Sequence, residues 1–408
     1  MKSLSKLFRI GNGPSSSHTI APYHAAMAFK RLLPKETDAI RVTLFGSLAL
    51  TGQGHMSHKA LEDALAPLPT KVVCSLEMAE GHPNTLIFEA LSHGETILTK
   101  HYASLGGGEI TSPDDPEVNE KDIYPFHDLD EVKAFMAENK ITDLKDFCLR
   151  YEEADIVPYF DDVLKVMFAS LERGLKTTGQ IPANKNPRLQ VFRNAPTIYK
   201  NALTIKDEGS RRTMLITAYA YAVAEESACG GLVVTAPTCG SSGVLPAILY
   251  YEYHDLNLPY EKIRDALFTA GLLGNIVKQD ASISGAIGGC QAEIGTATSM
   301  AAAALSYIEG EDFYQCEYAA ECAMEHFLGL SCDPVDGFVI IPCIERNGMG
   351  ALRAVDAFLY SRYIAPLKKN QVSFDNVVKA MKLTGDALGA AYKETAEGGL
   401  AEILKDGN

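Results

Sequence analysis

Between residues 155 and 176, apolar side chains recur at Ile156, Phe160, Val163, Met167 and Leu171, in steps of three and four, which predicts a helix with one buried face. Similar windows follow at roughly 209–227, 260–278, 291–308, 313–327, 350–363 and 375–393. The first hundred or so residues read differently. A helical pattern over Thr19–Leu33 precedes a strand-like IRVTLFG at Ile40–Gly46. A second helix near Lys59–Leu65 is followed by strand-like runs at Lys71–Leu76, Thr85–Leu91 and Thr96–Tyr102. The segment Thr111–Pro125 is acidic, Pro-bearing and aperiodic, as a linker is. The pattern therefore predicts an α+β chain: a small N-terminal α/β sandwich domain over residues 1–110, a linker over 111–125, and a larger, mostly helical domain over 126–408.

Composition narrows the function classes. The chain has 408 residues, 47% hydrophobic and 22% charged, ample for more than one core. Its formal net charge of -15 argues against a polyanion partner, and no Lys/Arg cluster suited to nucleic acid stands out. Small molecules are the expected ligands. No apolar run reaches bilayer length, and MKSLSKLFRIGNG lacks the apolar core of a signal segment, so a cytoplasmic, membrane-free protein is expected. The nine cysteines show no regular spacing, which speaks against a disulfide framework.

Three of those cysteines stand in turn-like sequence: GAIGGCQAEIG at Cys290, GLSCDPVDGF at Cys332 and IIPCIERNG at Cys343. Their wide spacing differs from the Cys-x-x-Cys pairs of zinc knuckles, and three thiolates without a fourth partner describe an open metal site. An iron-sulfur cluster with one incompletely ligated iron would serve as a Lewis acid there, and catalytic zinc is the rival. Burial as small core residues is the plain alternative. A helix start following a Cys loop favours the thiolate, so depressed thiol pKa values are expected.

Near the N-terminus, Ser15, Ser16, Ser17, His18 and Thr19 precede a helix, which suits either a carboxylate site or a simple cap. Seven of the ten histidines lie within the first 101 residues, and His18, His55 and His82 sit beside Gly, Pro or Ser, where an imidazole can face a cleft and move protons. The stretch Val233–Leu249, with Thr235, Thr238 and Cys239, resembles an anion cradle but lacks the lysine of a nucleotide loop. A polar loop from Lys278 through Ser284 runs straight into Cys290.

With these segments in view, the chain resembles the single-chain iron-sulfur L-serine dehydratases (L-serine ammonia-lyases). The resemblance rests on GPSSSHT at Gly13–Thr19, FGSLALTGQGH at Phe45–His55, HPNT at His82–Thr85, SLGGGEI at Ser104–Ile110 and TAPTCGSSGVLPA at Thr235–Ala247. It continues through SISGAIGGCQAEIG at Ser282–Gly295, CDPV at Cys332–Val335, PCIERN at Pro342–Asn347 and KETAEGGLA at Lys393–Ala401. It implies a four-iron four-sulfur (4Fe-4S) cluster ligated by Cys290, Cys332 and Cys343, with one iron left for substrate. It further implies conversion of L-serine to pyruvate and ammonia without pyridoxal phosphate, in amino-acid degradation and gluconeogenesis, by an oxygen-sensitive enzyme. His55 maps onto the family's candidate base, with His18 and Lys278 beside it as candidate catalytic groups. The candidate substrate-binding residues are Ser15, Ser16, Ser17, Thr19, His82, Asn84, Thr235, Thr238, Ser284 and Arg346. A homodimer is plausible from the apolar helical content. Three departures stand out. The chain ends LAEILKDGN, with no cysteine after Cys343; Cys239 stands where many relatives have Asn; and the stretch at 181–196 replaces a more Gly-rich segment. Because the histidines and the thiols fall in different predicted domains, a site between the domains is expected. A pyridoxal phosphate lyase, a serine sensor without catalysis and a zinc hydrolase are the competing readings.

Overall fold

The structure is a computed structural model that describes residues 1–75, 77, 79, 82, 84–181, 190–367 and 370–405. Of the departure noted at 181–196, residues 182–189 lie outside them. Seven strands are present among the described residues: β1 (Ile10–Asn12), β2 (Ala39–Leu44), β3 (Thr70–Cys74), β4 (Thr85–Ser92), β5 (Glu95–Gly106), β6 (Glu109–Thr111) and β7 (Leu232–Val234). The helices of the first part are α1 (Ala21–Arg31), α2 (Gly46–Thr51) and α3 (Ser57–Leu65). Those that follow are α4 (Leu129–Glu138), α5 (Leu144–Cys148), α6 (Ile156–Gly174), α7 (Ala195–Ala202), α8 (Glu208–Ala228), α9 (Val244–Tyr250) and α10 (Tyr260–Asp280). The last are α11 (Gly285–Gly288), α12 (Ile294–Ile308), α13 (Phe313–Glu325), α14 (Cys343–Ile364), α15 (Phe374–Ala387) and α16 (Leu400–Lys405).

The five-stranded sheet has the order β3-β2-β4-β5-β6, with β2 and β3 parallel and the other neighbours antiparallel. Alternation along β2 buries Ile40, Val42 and Leu44, and the facing strand β4 buries Leu86, Phe88 and Ala90. Helices α1 and α3 cover that face through Ala25, Phe29, Leu61 and Leu65, which close a separate small core. This is the α+β organisation the sequence predicts.

The larger core is helical. Helix α12, IGTATSMAAAALSYI, buries all its residues but Tyr307, because small side chains on every side let α10, α13 and α14 approach closely around it. Its first turn starts later than the periodicity suggests, since Cys290–Ala292 form a separate 3-10 turn. Helix α14 begins seven residues before the predicted window, at Cys343 itself, because ERNGMG continues the helix despite its two glycines. Helix α15 stops at Ala387, earlier than predicted, where Leu388 turns to extended backbone.

The extreme N-terminus packs with the helical part. Leu4, Leu7 and Phe8 lie in the helical core, and β1 pairs antiparallel with β7 through Ile10 and Val234. The expected linker is held in place as well: the amides of Ile123 and Tyr124 both donate to the Met1 carbonyl, at 2.9 and 3.0 Å. Two structural pieces thus share several seams, and one of them carries the site.

Candidate active site

Cys290, Cys332 and Cys343 come from three different local structures and line one pocket together with Ser15, His55, Gly240, Glu293 and Glu394. Cys290 opens its 3-10 turn directly after Gly289, whose φ of +74° suits glycine. Cys343 is the first residue of α14. Cys332 lies in extended backbone bridged to the C-terminal segment: its amide donates to the Tyr392 carbonyl and its carbonyl accepts from the Glu394 amide, both at 2.9 Å. All three thiols are free of disulfides.

The thiols are not depressed in pKa as their helix-start setting suggests. Burial pushes Cys290 up to about 11 despite the opposing charge of Arg346, and holds Cys332 and Cys343 higher still. Desolvation outweighs the helix dipole here because the groups are out of water. Such thiols lose their protons to a bound cation rather than to solvent.

His55 and His18 stand side by side, ring centroids 4.5 Å apart, both fully buried. The turn that presents them is built by Thr19, whose hydroxyl donates to the His55 carbonyl at 2.7 Å, and by Ser57, which donates to the His18 carbonyl. The tautomer of His55 follows from its neighbour. Thr51 Oγ1 donates to the Ser47 carbonyl at 3.0 Å, so toward His55 Nδ1, also 3.0 Å away, it acts as acceptor. Nδ1 therefore carries the hydrogen and Nε2 presents a bare lone pair. That nitrogen is buried and has no hydrogen-bond partner among the described residues. Burial, and next the adjacent His18 ring, hold the His55 pKa well below 6.5, which keeps the base form at neutral pH. His18 bonds Ser47 Oγ through Nε2 and Ser17 Oγ through Nδ1, at 2.9 and 2.8 Å, and burial lowers its pKa to about 4.

Two buried glutamates complete the pocket. Glu394 Oε1 lies 3.8 Å from His18 Nδ1 and 3.9 Å from His55 Nε2, and His18, His55 and Glu394 offer ligand atoms all within 4.8 Å of one another. Glu293 meets the Thr238 hydroxyl and the charge of Arg346. Arg346 is itself anchored on the Ser331 carbonyl at 2.8 Å and on Asp333, with its charge close to Cys290 and Cys343. Neither glutamate is singled out by sequence reasoning, since a lone acid in a Gly-rich stretch reads as surface. A weak signal for Glu394 is the Gly-rich KETAEGG turn near the end of an otherwise helical chain.

The structure separates the other sequence-predicted residues. Ser15 lines the pocket while its Oγ caps the π-helical turn Ser16–Ile20 by accepting from the His18 amide; Ser16 and Ser17 are buried in that turn. The Thr19 hydroxyl faces backbone, and Thr235 Oγ1 is likewise held between the Arg9 amide and the Leu7 carbonyl. Ser284 packs against Gly106, where a Cβ would lie 3.0 Å from its own. His82 is half-buried and accepts from the Asn84 amide at 3.1 Å, while Asn84 is fully buried with neither side-chain amide atom partnered among the described residues. Lys278 is not brought to the pocket. Its Nζ lies 2.6 Å from Glu109, in a separate cavity of about 330 Å³ that also contains Lys2, because the buried Glu109 carboxylate requires a counter-charge.

The turn holding His55 touches the segment between Cys332 and Cys343 at one tight point. A Cβ on Gly54 would lie 2.7 Å from the Gly337 carbonyl oxygen. Two families of sequence meet at this contact: the serine dehydratase beta chain matches residues 3–72 and the serine dehydratase alpha chain matches residues 69–401. The chain belongs to the serine dehydratase family. It is 37% identical to an L-serine dehydratase of Streptomyces coelicolor, over 97% of each chain, and 36% identical to one of Helicobacter pylori, over 99% of each. The L-serine dehydratase TdcG of Escherichia coli is 36% identical over 97% of each chain. In this serine dehydratase family member, His18 and His55 come from the beta-type segment, and Cys290, Cys332, Cys343 and Glu394 from the alpha-type segment. The boundary falls within β3, so the five-stranded sheet is assembled from both segments.

Proposed function

We propose that this chain is an L-serine ammonia-lyase that eliminates water from L-serine to give aminoacrylate, and then pyruvate and ammonia, with a 4Fe-4S cluster held by Cys290, Cys332 and Cys343. The observation that carries this reading is the bare Nε2 of His55 lining the same pocket as three free, buried thiols. The donor set fits an anionic iron-sulfur group: soft thiol ligands, the neighbouring Arg346 charge, and Gly285, where a Cβ would stand 3.0 Å from Cys332 Sγ. Bound there, the cluster supplies a Lewis acid for the departing hydroxide.

The chain's own residues then divide the remaining work. The neutral His55 Nε2 takes the α-proton, and Thr51 keeps its other nitrogen protonated so that the lone pair faces the substrate. Ser15, which lines the pocket at the start of the turn before α1, is suited to orient the carboxylate. Burial of His18 and His55 keeps water from competing for the proton. Cytoplasmic placement and a homodimer belong to the same proposal. No helix among the described residues is long and apolar enough to cross a membrane.

The test is pyruvate release from L-serine by protein reconstituted with iron and sulfide under exclusion of oxygen, beside an air-exposed aliquot. Activity that air abolishes and reconstitution restores is expected. Air-stable activity would overturn the cluster assignment, and a borohydride-trapped lysine adduct would favour pyridoxal chemistry instead.

A further inference from the structure

We propose that Glu394 receives the substrate's ammonium group and so selects α-amino acids over carboxylic acids that lack the amino group. This rests on the ammonia-lyase reading of the same pocket.

Glu293 and Glu394 both line that pocket, but their partners differ. Glu293 is served by the Thr238 hydroxyl and by Arg346. Glu394 is 6% exposed, and its Oε2 has no hydrogen-bond partner among the described residues. Its Oε1 faces His18 Nδ1 and His55 Nε2 at 3.8 and 3.9 Å, beyond hydrogen-bond reach. Both of those nitrogens are acceptors. His55 Nε2 is bare because Thr51 keeps the hydrogen on Nδ1. His18 donates through Nε2 to Ser47, which passes its own proton to the Glu394 carbonyl, so His18 Nδ1 accepts from Ser17. Apart from the Ala286 amide, this buried carboxyl group is set among lone pairs and its Oε2 has no donor among the described residues; a cation with several N–H groups is its complement.

The backbone supports the same reading. Glu394 has φ of +60°, in the left-handed region that a non-glycine residue avoids, and its amide donates a hydrogen bond to the Cys332 carbonyl that helps hold it there. Such conformations cluster where a side chain must be aimed. The gap of 3.9 Å between His55 Nε2 and Glu394 Oε1 allows one α-carbon to turn its hydrogen to the imidazole and its nitrogen to the carboxylate.

Calorimetric titration of the reconstituted protein tests this with two non-reacting ligands: L-alanine, which keeps the ammonium and lacks the hydroxyl, and 3-hydroxypropionate, which does the reverse. In Glu394→Gln, L-alanine affinity is expected to fall about tenfold or more, as for loss of a charge-assisted contact, while 3-hydroxypropionate affinity stays within about twofold. Unchanged L-alanine affinity, an equal loss for both ligands, or no L-alanine binding by the wild type would overturn the proposal. Should the Gln variant fail to fold, Glu394→Asp carries the same comparison, since withdrawing the carboxylate weakens only the ammonium ligand. Wild-type protein that releases no pyruvate from L-serine would instead refute the underlying ammonia-lyase reading, and the two-ligand contrast would still decide the role of Glu394.

Discussion

Thr51 Oγ1 sits 3.0 Å from His55 Nδ1 and gives its own proton to the Ser47 carbonyl, so the hydroxyl of one residue sets which nitrogen of the other is basic. Replacing Thr51 by Val removes the acceptor and lets the ring adopt the other tautomer. The expected result is a drop in kcat of about tenfold to a hundredfold, part of what general-base action commonly supplies. Thr51→Ser should retain most of the rate. Equal rates for Thr51→Val and the wild type would contradict the assignment.

Removal of the imidazole has a larger effect. His55→Ala is expected to lower kcat by about 100- to 10,000-fold while iron content stays that of the wild type. Because burial depresses the His55 pKa, the acid limb of the kcat/KM profile should lie below pH 6.5. A limb centred above 6.5 would mean that a different group is the base.

The three thiols make separable predictions. Cys290→Ser, Cys332→Ser and Cys343→Ser should each lose bound iron and visible absorbance on reconstitution while far-ultraviolet circular dichroism remains near native. Cys148→Ala, in the helical core near Tyr124, should bind iron normally. Full iron loading in all three serine variants would remove these residues as ligands.

Acid weakens the fold through His18. Its native pKa is about 4 against 6.5 when exposed, so below pH 6.5 the unfolded chain takes up a proton that the native state refuses. Stability is full at neutral pH and falls as pH drops from 6.5 toward 4, by up to about 3 kcal/mol from this group. Urea midpoints at pH 7.5 and 5 should therefore differ less in His18→Gln than in the wild type.

The contact of Gly54 with Gly337 allows a test of the seam. A methyl group at Gly54 meets a carbonyl oxygen at 2.7 Å, which pushes the His55 turn away from the Cys332–Cys343 segment. Gly54→Ala should lower kcat/KM about tenfold or more with little change in helix content, since misplacing a catalytic group by an ångström has large kinetic effects. Wild-type kcat/KM in this variant would show that the seam tolerates movement.

Much of this architecture is legible in the chain. The period of α6 and the alternation of β2 reflect single-face burial, which sequence records directly. Cys290, Cys332 and Cys343 stand out because thiols in Gly- and Pro-rich turns are unusual. Glu394 does not stand out, because what marks it is an Oε2 without a partner among the described residues, and a missing partner leaves no trace in a sequence. Lys278 illustrates the opposite error. It precedes the loop to Cys290, yet α10 turns it toward Glu109, a neighbour 169 positions away that no local pattern reveals. The thiol pKa values follow the same logic, since helix starts are visible in sequence and depth of burial is not.

The sheet joint between β2 and β4 has a kinetic meaning. Strand β2 lies in the beta-type segment and β4 in the alpha-type segment, so the pairing of Val42 with Phe88 is also the meeting of two modules. A covalent link of a few dozen residues holds such partners at an effective concentration on the order of millimolar. Assembly of the half that carries His18 and His55 onto the half that carries the thiols is therefore independent of how much protein the cell makes, and the two halves are always present in equal number.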